Sequence, residues 1–131
     1  MLVVDSSVWV DFFNGFEAPS AELLAHLLDH GEVRIVVPDL VLFEVLRGFR
    51  HERDLRTARQ LMQGLAIETS MDPELAVAAA EHYRQLRGRG HTVRSAIDVL
   101  VAAFCIERDY ALLHDDRDFD AFELHRGLRV W

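Results

Sequence analysis

Residues 1–13, MLVVDSSVWVDFF, contain the pattern that decides the fold class. Leu2–Val4 is apolar without alternation, which is typical of a parallel strand that is covered on both faces. Asp5, Ser6 and Ser7 are residue types that favour a helix N-terminus, and the apolar spacing after them is helical. The stretch therefore predicts a buried strand that leads directly into a helix.

The same alternation of strand-length apolar runs and helical patterns continues to the end of the chain. The predicted strands are 2–4, 33–37, 65–67, 111–113 and 128–130, and the predicted helices are 7–13, 20–30, 39–49, 53–63, 73–87 and 95–108. No linker, repeat or low-complexity segment interrupts this order, so we expect a single domain over residues 1–131. Strands separated by helices of this length predict an α/β fold with a central, mostly parallel sheet.

Lysine is absent from the sequence, and all 14 basic residues are arginines. A Walker A loop and a lysine Schiff-base enzyme each need a lysine, so the composition excludes both classes. The single cysteine, Cys105, excludes an internal disulfide and a cysteine-based zinc site. No apolar run approaches the ~18 residues of a membrane span, so we expect a soluble, cytoplasmic protein without a membrane partner.

The charged residues are unevenly distributed along the chain, whose formal net charge is -8. The segment from Arg47 to Arg94 contains nine arginines and six acids, whereas the remainder contains five arginines and sixteen acids. An acidic chain does not bind nucleic acid through a general basic surface. The arginine-rich middle is either an ordinary solvated surface or a local phosphate site, for which the candidates are Arg84, Arg87, Arg89 and Arg94.

Three acids occur where an open α/β sheet places its ligands, beyond the carboxyl ends of the strands. Asp5 follows the first strand and is either a helix N-cap or a ligand. Glu44 interrupts an otherwise apolar helix, so its carboxylate needs a partner, either Arg47 or a metal ion. Asp98 lies one turn into the helix predicted over residues 95–108 and either completes a capping box with Ser95 or joins the same site.

The segment after the fourth predicted strand adds three acids in four residues, namely Asp115, Asp116 and Asp118. Several carboxylates in one cleft raise one another's pKa unless a cation compensates their charge. Oxygen ligands of this type select Mg²⁺ or Mn²⁺. If the acids converge, the chemistry that follows is metal-assisted hydrolysis of a phosphodiester.

Four motifs, in order, make the sequence resemble the PIN-domain ribonucleases, and more narrowly the VapC-type toxins of toxin–antitoxin pairs. The motifs are residues 3–9, 37–48, 92–98 and 112–119, and the resemblance covers essentially the whole chain. It implies a three-layer α/β/α PIN-like fold with a central parallel sheet and an acidic cleft that binds Mg²⁺ or Mn²⁺. It also implies endonucleolytic cleavage of RNA, inhibition by a cognate antitoxin protein, and the homodimer that such toxins commonly form.

Residue roles are carried over by position from this resemblance. The implied catalytic acids, of which all but Glu44 are also implied metal ligands, are Asp5, Glu44, Asp98 and Asp116. Ser7 is the implied supporting hydroxyl near the metal. Because Asp115 is an additional acid in this motif, the alignment of the fourth acid with the family motif is open. Asp118 is therefore kept as a reserve candidate beside Asp116.

Two other functions remain open from the residues alone. A phosphatase would use Asp5 as its nucleophile, although a haloacid-type enzyme has a second Asp where Ser7 stands. A non-catalytic PIN-like module would bind RNA or a protein while its acids serve as helix caps. Four aromatic residues occur at helical spacing near the N-terminus, namely Trp9, Phe12, Phe13 and Phe16. This aromatic stripe either packs in the core or forms a groove for an antitoxin segment or a second subunit.

Overall fold

The computed structural model describes residues 1–131 as five strands and seven helices. The strands are β1 Leu2–Val4, β2 Ile35–Pro38, β3 Ala66–Glu68, β4 Ala111–Leu113 and β5 Arg129–Val130. The helices are α1 Ser6–Asn14, α2 Pro19–His30, α3 Asp39–Leu46, α4 Glu52–Gln63, α5 Pro73–Gly88, α6 Ala96–Arg108 and α7 Asp120–Arg126. A short 3₁₀ turn, Arg117–Phe119, precedes α7.

The strands form one sheet in the order β3-β2-β1-β4-β5, and every pair is parallel. Strand β1 is central, with Leu2 paired to Ile35 on one side and to Ala111 on the other. The chain builds one half of the sheet through β2 and β3 and then crosses to the other side of β1. This switch point places the crevice for ligands beyond the carboxyl end of β1.

The core lies on both faces of the three inner strands. Every residue of β1, β2 and β4 is buried, whereas the edge strands β3 and β5 are partly exposed. The largest fully buried side chains are Trp9, Phe104, Phe119 and Phe122. The sheet is therefore covered by helices on both sides, and the predicted α/β/α class is confirmed.

Two differences from the predicted elements concern the helices. Helix α3 ends at Leu46 rather than at Phe49, because the chain turns there and Phe49 packs edge-to-face on Phe13 at 5.9 Å. Helix α7 is not predicted, since its acid-rich sequence lacks a long apolar period; it is held by buried Phe122 and ends at Gly127 with φ +79°. No helix combines the length and apolar character needed to cross a membrane.

Candidate metal centre

Asp5 occupies the junction between β1 and α1, and its two carboxylate oxygens have different surroundings. The backbone N–H of Asp5 donates to the carbonyl of Leu113, which holds the residue beside the end of β4. Asp5 Oδ2 accepts from Ser7 Oγ at 2.6 Å and from the Ser7 N–H at 3.3 Å, and so caps α1. Oδ1 is buried and has no hydrogen-bond partner. Capping thus uses one oxygen and leaves the other available to a cation.

Asp98 lies in the first turn of α6 and is only 9% exposed. Its backbone N–H donates to Ser95 Oγ at 3.3 Å, so Ser95 caps the helix through the Asp98 backbone. The Asp98 carboxylate instead lies among other acids. Helix capping therefore explains the position of the Ser95 hydroxyl. It does not explain the position of the Asp98 carboxylate, which belongs to the site.

The structure brings all four predicted acids and the reserve acid together. Two overlapping groups each have candidate ligand atoms within 4.8 Å of one another, and Asp98 belongs to both. The groups are Asp5, Glu44 and Asp98, and Asp98, Asp116 and Asp118. These five acids, called the acid cluster below, come from the end of β1, α3, α6 and the segment after β4. They meet at the crevice that the strand order predicts.

Glu44 is oriented by two neighbours. Ser6 Oγ donates to Glu44 Oε1 at 2.8 Å, and Arg47 Nη2 lies 3.8 Å from Oε2. The Arg47 side chain is 58% exposed, so this ion pair is screened by solvent and weak. Sequence reasoning missed Ser6 as a supporting group, because its partner is 38 residues away in the chain.

Hydrogen bonds determine which of the acids after β4 join the acid cluster. Asp115 Oδ2 accepts from Ser20 Oγ at 2.7 Å, a contact to α2 that keeps it out of the acid cluster. The Asp116 N–H donates to His114 Nδ1 at 3.1 Å, and Asp116 Oδ1 accepts from the Asp118 N–H at 2.9 Å. Asp116 and Asp118 both reach the cluster, whereas Asp115 is an anchor. Ser20 is a supporting residue that sequence reasoning missed, and His114 supports the loop through its Nδ1.

The proximity of these acids changes their protonation. Burial, and then the charges of the four other cluster acids, raise the pKa of Asp98 from 3.8 to about 7. Burial also raises the pKa of Asp5, against the lowering effect of its hydrogen bonds with Ser7. Both raised pKa values mean that the ionised carboxylates are unfavourable in the absence of a cation. A bound cation would favour the ionised carboxylates. The partnerless Asp5 Oδ1 and the hard oxygen donors around it fit Mg²⁺ or Mn²⁺.

The predicted aromatic stripe belongs mostly to the core. Trp9 is fully buried and stacks on Phe13 with ring centroids 5.8 Å apart, while Phe12 contacts both rings edge-on. Only Phe16, at the end of the stripe, is 63% exposed. Three of the four residues thus serve packing, and only Phe16 is free for a partner.

Both the sequence and the fold are similar to those of known proteins. The family model of the PIN domain matches residues 2–123. Ribonuclease VapC11 of Mycobacterium tuberculosis is 33% identical over 120 residues, which are 92% of this chain and 90% of that protein. The Rickettsia felis VapBC2 structure, bound to a promoter DNA fragment, contains a chain with TM-score 0.77 and 16% identity, with 99% and 96% coverage. A toxin-antitoxin complex from Klebsiella pneumoniae gives TM-score 0.71 and 14% identity, with 91% and 90% coverage.

Proposed function

The chain belongs to the PIN-domain family, as its resemblance indicated, and on that premise we propose that it is a metal-dependent endoribonuclease, the toxin of a type II toxin–antitoxin pair. The observation that carries the proposal is the acid cluster, in which five carboxylates from distant parts of the chain form two groups that share Asp98, while Asp5 Oδ1 is buried without a hydrogen-bond partner. A ribonuclease name on a relative 33% identical over nearly the whole chain supports the same activity.

We assign the metal-holding role to Asp5, Asp98 and Asp116, with Asp118 as a supporting acid. When bound, Mg²⁺ or Mn²⁺ supplies Lewis acidity that neutralises charge developing on the phosphate and on the leaving oxygen. Ser7 holds Asp5 Oδ2 by a hydrogen bond, which fixes the carboxylate and leaves Oδ1 for the metal. Ser20 and His114 hold the loop that presents Asp116.

Glu44 is the group that we assign to proton transfer. Its Oε1 accepts from Ser6 Oγ, and its Oε2 lies 3.8 Å from Arg47 Nη2. A carboxylate oriented in this way can accept a proton from the water that attacks phosphorus. In-line attack then forms a P–O bond to the water oxygen and breaks the P–O bond to the leaving oxygen, which takes a proton from solvent, so the chain forms no covalent intermediate.

The partners of this activity follow from the same assignment. We propose single-stranded RNA regions as the substrate and a cognate antitoxin protein as the inhibitor, since a solved structure of this fold is described as a toxin-antitoxin complex. We also propose that residues 1–131 act as one domain and associate as a homodimer. Sedimentation of the purified protein, alone and with its antitoxin, measures both kinds of association.

The non-catalytic alternative rests on a real feature, because Asp5 and Asp116 do cap a helix and a 3₁₀ turn. Capping alone leaves two observations unexplained, namely the buried Asp5 Oδ1 and the convergence of five acids. Asp72, which caps α5 through Leu75 at 2.8 Å, shows an N-cap aspartate outside any acid group. It provides a matched control for the test.

The test compares Asp5→Asn with Asp72→Asn in cleavage of total cellular RNA with Mn²⁺ and with excess chelator. Asn caps a helix about as well as Asp, so both variants should fold. We expect chelator-sensitive fragments from the wild type and from Asp72→Asn, and a loss of about 100-fold or more in Asp5→Asn, since a charged ligand is removed. Equal cutting by Asp5→Asn, or an inert wild type, would favour the binding module.

A further inference from the structure

The end of α5 and the loop after it form the most positively charged part of the chain. Residues 84–94, RQLRGRGHTVR, contain four arginines and no acid, although the net charge of the chain is -8. Arg84, Arg87 and Arg89 are exposed and line a depression of about 480 Å³ that has no apolar lining residue.

Two of the three arginines that line the depression have no acidic partner. Arg84 forms an ion pair with Glu81 at 3.6 Å, whereas no ion pair within 4.0 Å involves Arg87 or Arg89. The guanidinium of Arg87 lies over the Tyr83 ring at 5.5 Å, which holds the side chain without neutralising its charge. Arg87 and Arg89 are therefore available to bind an anion.

A second concavity is lined by the residues that follow this depression in the chain and by one member of the acid cluster. It has a volume of about 320 Å³ and lies between residues 90–93 and residues 117–124. Its lining starts at Gly90, the residue after Arg89, and includes Asp118, a member of the acid cluster. This cleft is therefore the candidate route for a polymer between the acids and the arginines.

The cleft offers groups that suit nucleotides. His91, Thr92 and Arg117 line it with hydrogen-bonding side chains, and Asp120 is its one acid outside the cluster. The His91 ring lies 5.2 Å from the ring of His125, and these rings, with the 74% exposed Leu124, provide surfaces for bases. Single-stranded RNA is bound by this combination of cationic groups and stacking faces.

We infer that the depression and the cleft form one track that holds the RNA strand on one side of the scissile bond, an inference that rests on the proposed function. The arginine track is defined as Arg84, Arg87, Arg89, His91 and Arg117. Arginine binds phosphate oxygens through two parallel N–H donors, so Arg87 and Arg89 position phosphates while Arg117 acts nearer the acids. The depression lacks the apolar and aromatic centre of a protein interface, which favours RNA over a protein partner.

The test compares two double variants that each remove two exposed arginines. Arg87→Ala/Arg89→Ala alters the track, and Arg53→Ala/Arg56→Ala removes the same charge from α4. Each protein is assayed for kcat and KM on a single-stranded RNA oligonucleotide with Mn²⁺. The Kd of the same oligonucleotide is measured by fluorescence anisotropy in chelator, at several salt concentrations, and circular dichroism checks the folding of every variant.

We expect the track variant to raise KM and Kd by about 10-fold or more, with kcat changed by less than about 3-fold, because phosphate binding contributes to affinity. The slope of log Kd against log salt should fall by about 1.4, since each phosphate contact on a single strand contributes about 0.7. The α4 variant should match the wild type. Arg89→Lys, which keeps the charge, should lie between the wild type and Arg89→Ala in affinity.

Equal RNA affinity of the two double variants would overturn the track. A hexaglutamate peptide tests the alternative occupant. If Arg87→Ala/Arg89→Ala lost binding of this peptide but kept binding of RNA, the surface would belong to an acidic protein segment instead. The anisotropy measurement does not depend on cleavage. An inert wild type that still binds RNA through Arg87 and Arg89 would therefore contradict the proposed nuclease while supporting the track.

Discussion

At Asp5 a single carboxylate has both a structural and a chemical assignment. Oδ2 is held by the Ser7 hydroxyl and N–H, which fixes the plane of the carboxylate, and Oδ1 is left buried without a partner. Burying a charged oxygen without a hydrogen bond is unfavourable unless a cation or a proton compensates it. The residue therefore links the stability of the apo protein to the occupancy of the site.

Asp98 gives a prediction about how pH affects that stability. The native pKa of about 7 exceeds the ordinary value of 3.8, so between these pH values the native state binds a proton that the unfolded state has lost. The free energy of unfolding should therefore decrease as pH rises from about 4 to about 7. Asp98→Asn lacks this group, so its profile should fall less and the variant should be more stable than the wild type at pH 8.

Urea unfolding in chelator at pH 5, 6, 7 and 8 measures this difference. The other cluster acids, Asp5, Glu44, Asp116 and Asp118, are present in both proteins and face the altered side chain. Burial lowers the pKa of His82, so this residue decreases the free energy of unfolding on acidification. Because His82 is present in both proteins, the difference between the two profiles isolates Asp98. Parallel profiles for wild type and Asp98→Asn would contradict the prediction.

The site is predictable from sequence only where the chemistry of a residue conflicts with its local setting. Glu44 and Asp98 stand out because they are acids in apolar helices, and Asp5 because it follows a buried strand. The choice among Asp115, Asp116 and Asp118 depends on the contact of Asp115 with Ser20, which is 95 residues away. A local pattern does not contain such a contact, so the frame of these acids becomes visible only in the structure.

Among the elements, α7 is joined to the rest of the protein by a buried histidine. His82 in α5 is 5% exposed, its Nδ1 accepts from Arg126 Nε at 2.9 Å, and its Nε2 lies 3.2 Å from Glu107 Oε1 in α6. Because Nδ1 is an acceptor, the neutral ring donates from Nε2 to Glu107. Three helices are thus connected through one side chain, and α7 supplies one wall of the cleft beside the acid cluster.

Arg126→Ala should destabilise the protein by about 1–3 kcal/mol, because it leaves the buried Nδ1 of His82 without a donor. Arg129→Ala is the matched control, since Arg129 also bonds through Nε, to Asp109, but its side chain is 56% exposed. That variant should lose less than about 1 kcal/mol. Urea unfolding at pH 7.5 measures both changes, and equal losses would show that the His82 contact contributes nothing beyond a surface pair.

Helix boundaries show where local patterns fail at this scale. The helical spacing of residues 39–49 predicts one helix, but Phe49 gains more by packing on Phe13 than by continuing α3. The segment 115–126 contains five acids, which the sequence presents as an acidic loop, yet Phe119 and Phe122 are fully buried and hold a 3₁₀ turn and α7. In both places tertiary burial of one or two aromatic rings decides the outcome.

For the whole molecule, the unalternating apolar runs predict a parallel sheet covered on both faces, and the structure confirms it. The strand order β3-β2-β1-β4-β5 is not contained in those runs, since each strand would satisfy its burial beside several neighbours. The strand order nevertheless determines which acids come together at the site. Placing β4 next to β1 brings Asp116 to Asp5 across more than 100 residues of chain.

Folding therefore assembles the acid cluster, and a cation that binds the cluster must stabilise the fold. A ligand that binds only the native state at 100 times its Kd adds about 2.7 kcal/mol to the free energy of unfolding. We expect Mn²⁺ and Mg²⁺ to raise the Tm of the wild type by several degrees at pH 7.5, and chelator to reverse the rise. Asp98→Asn removes the acid shared by both groups and should show little shift, whereas Asp72→Asn should respond like the wild type. An equal rise in Asp98→Asn would mean that the ion binds elsewhere, and no rise in the wild type would remove the metal from the assignment.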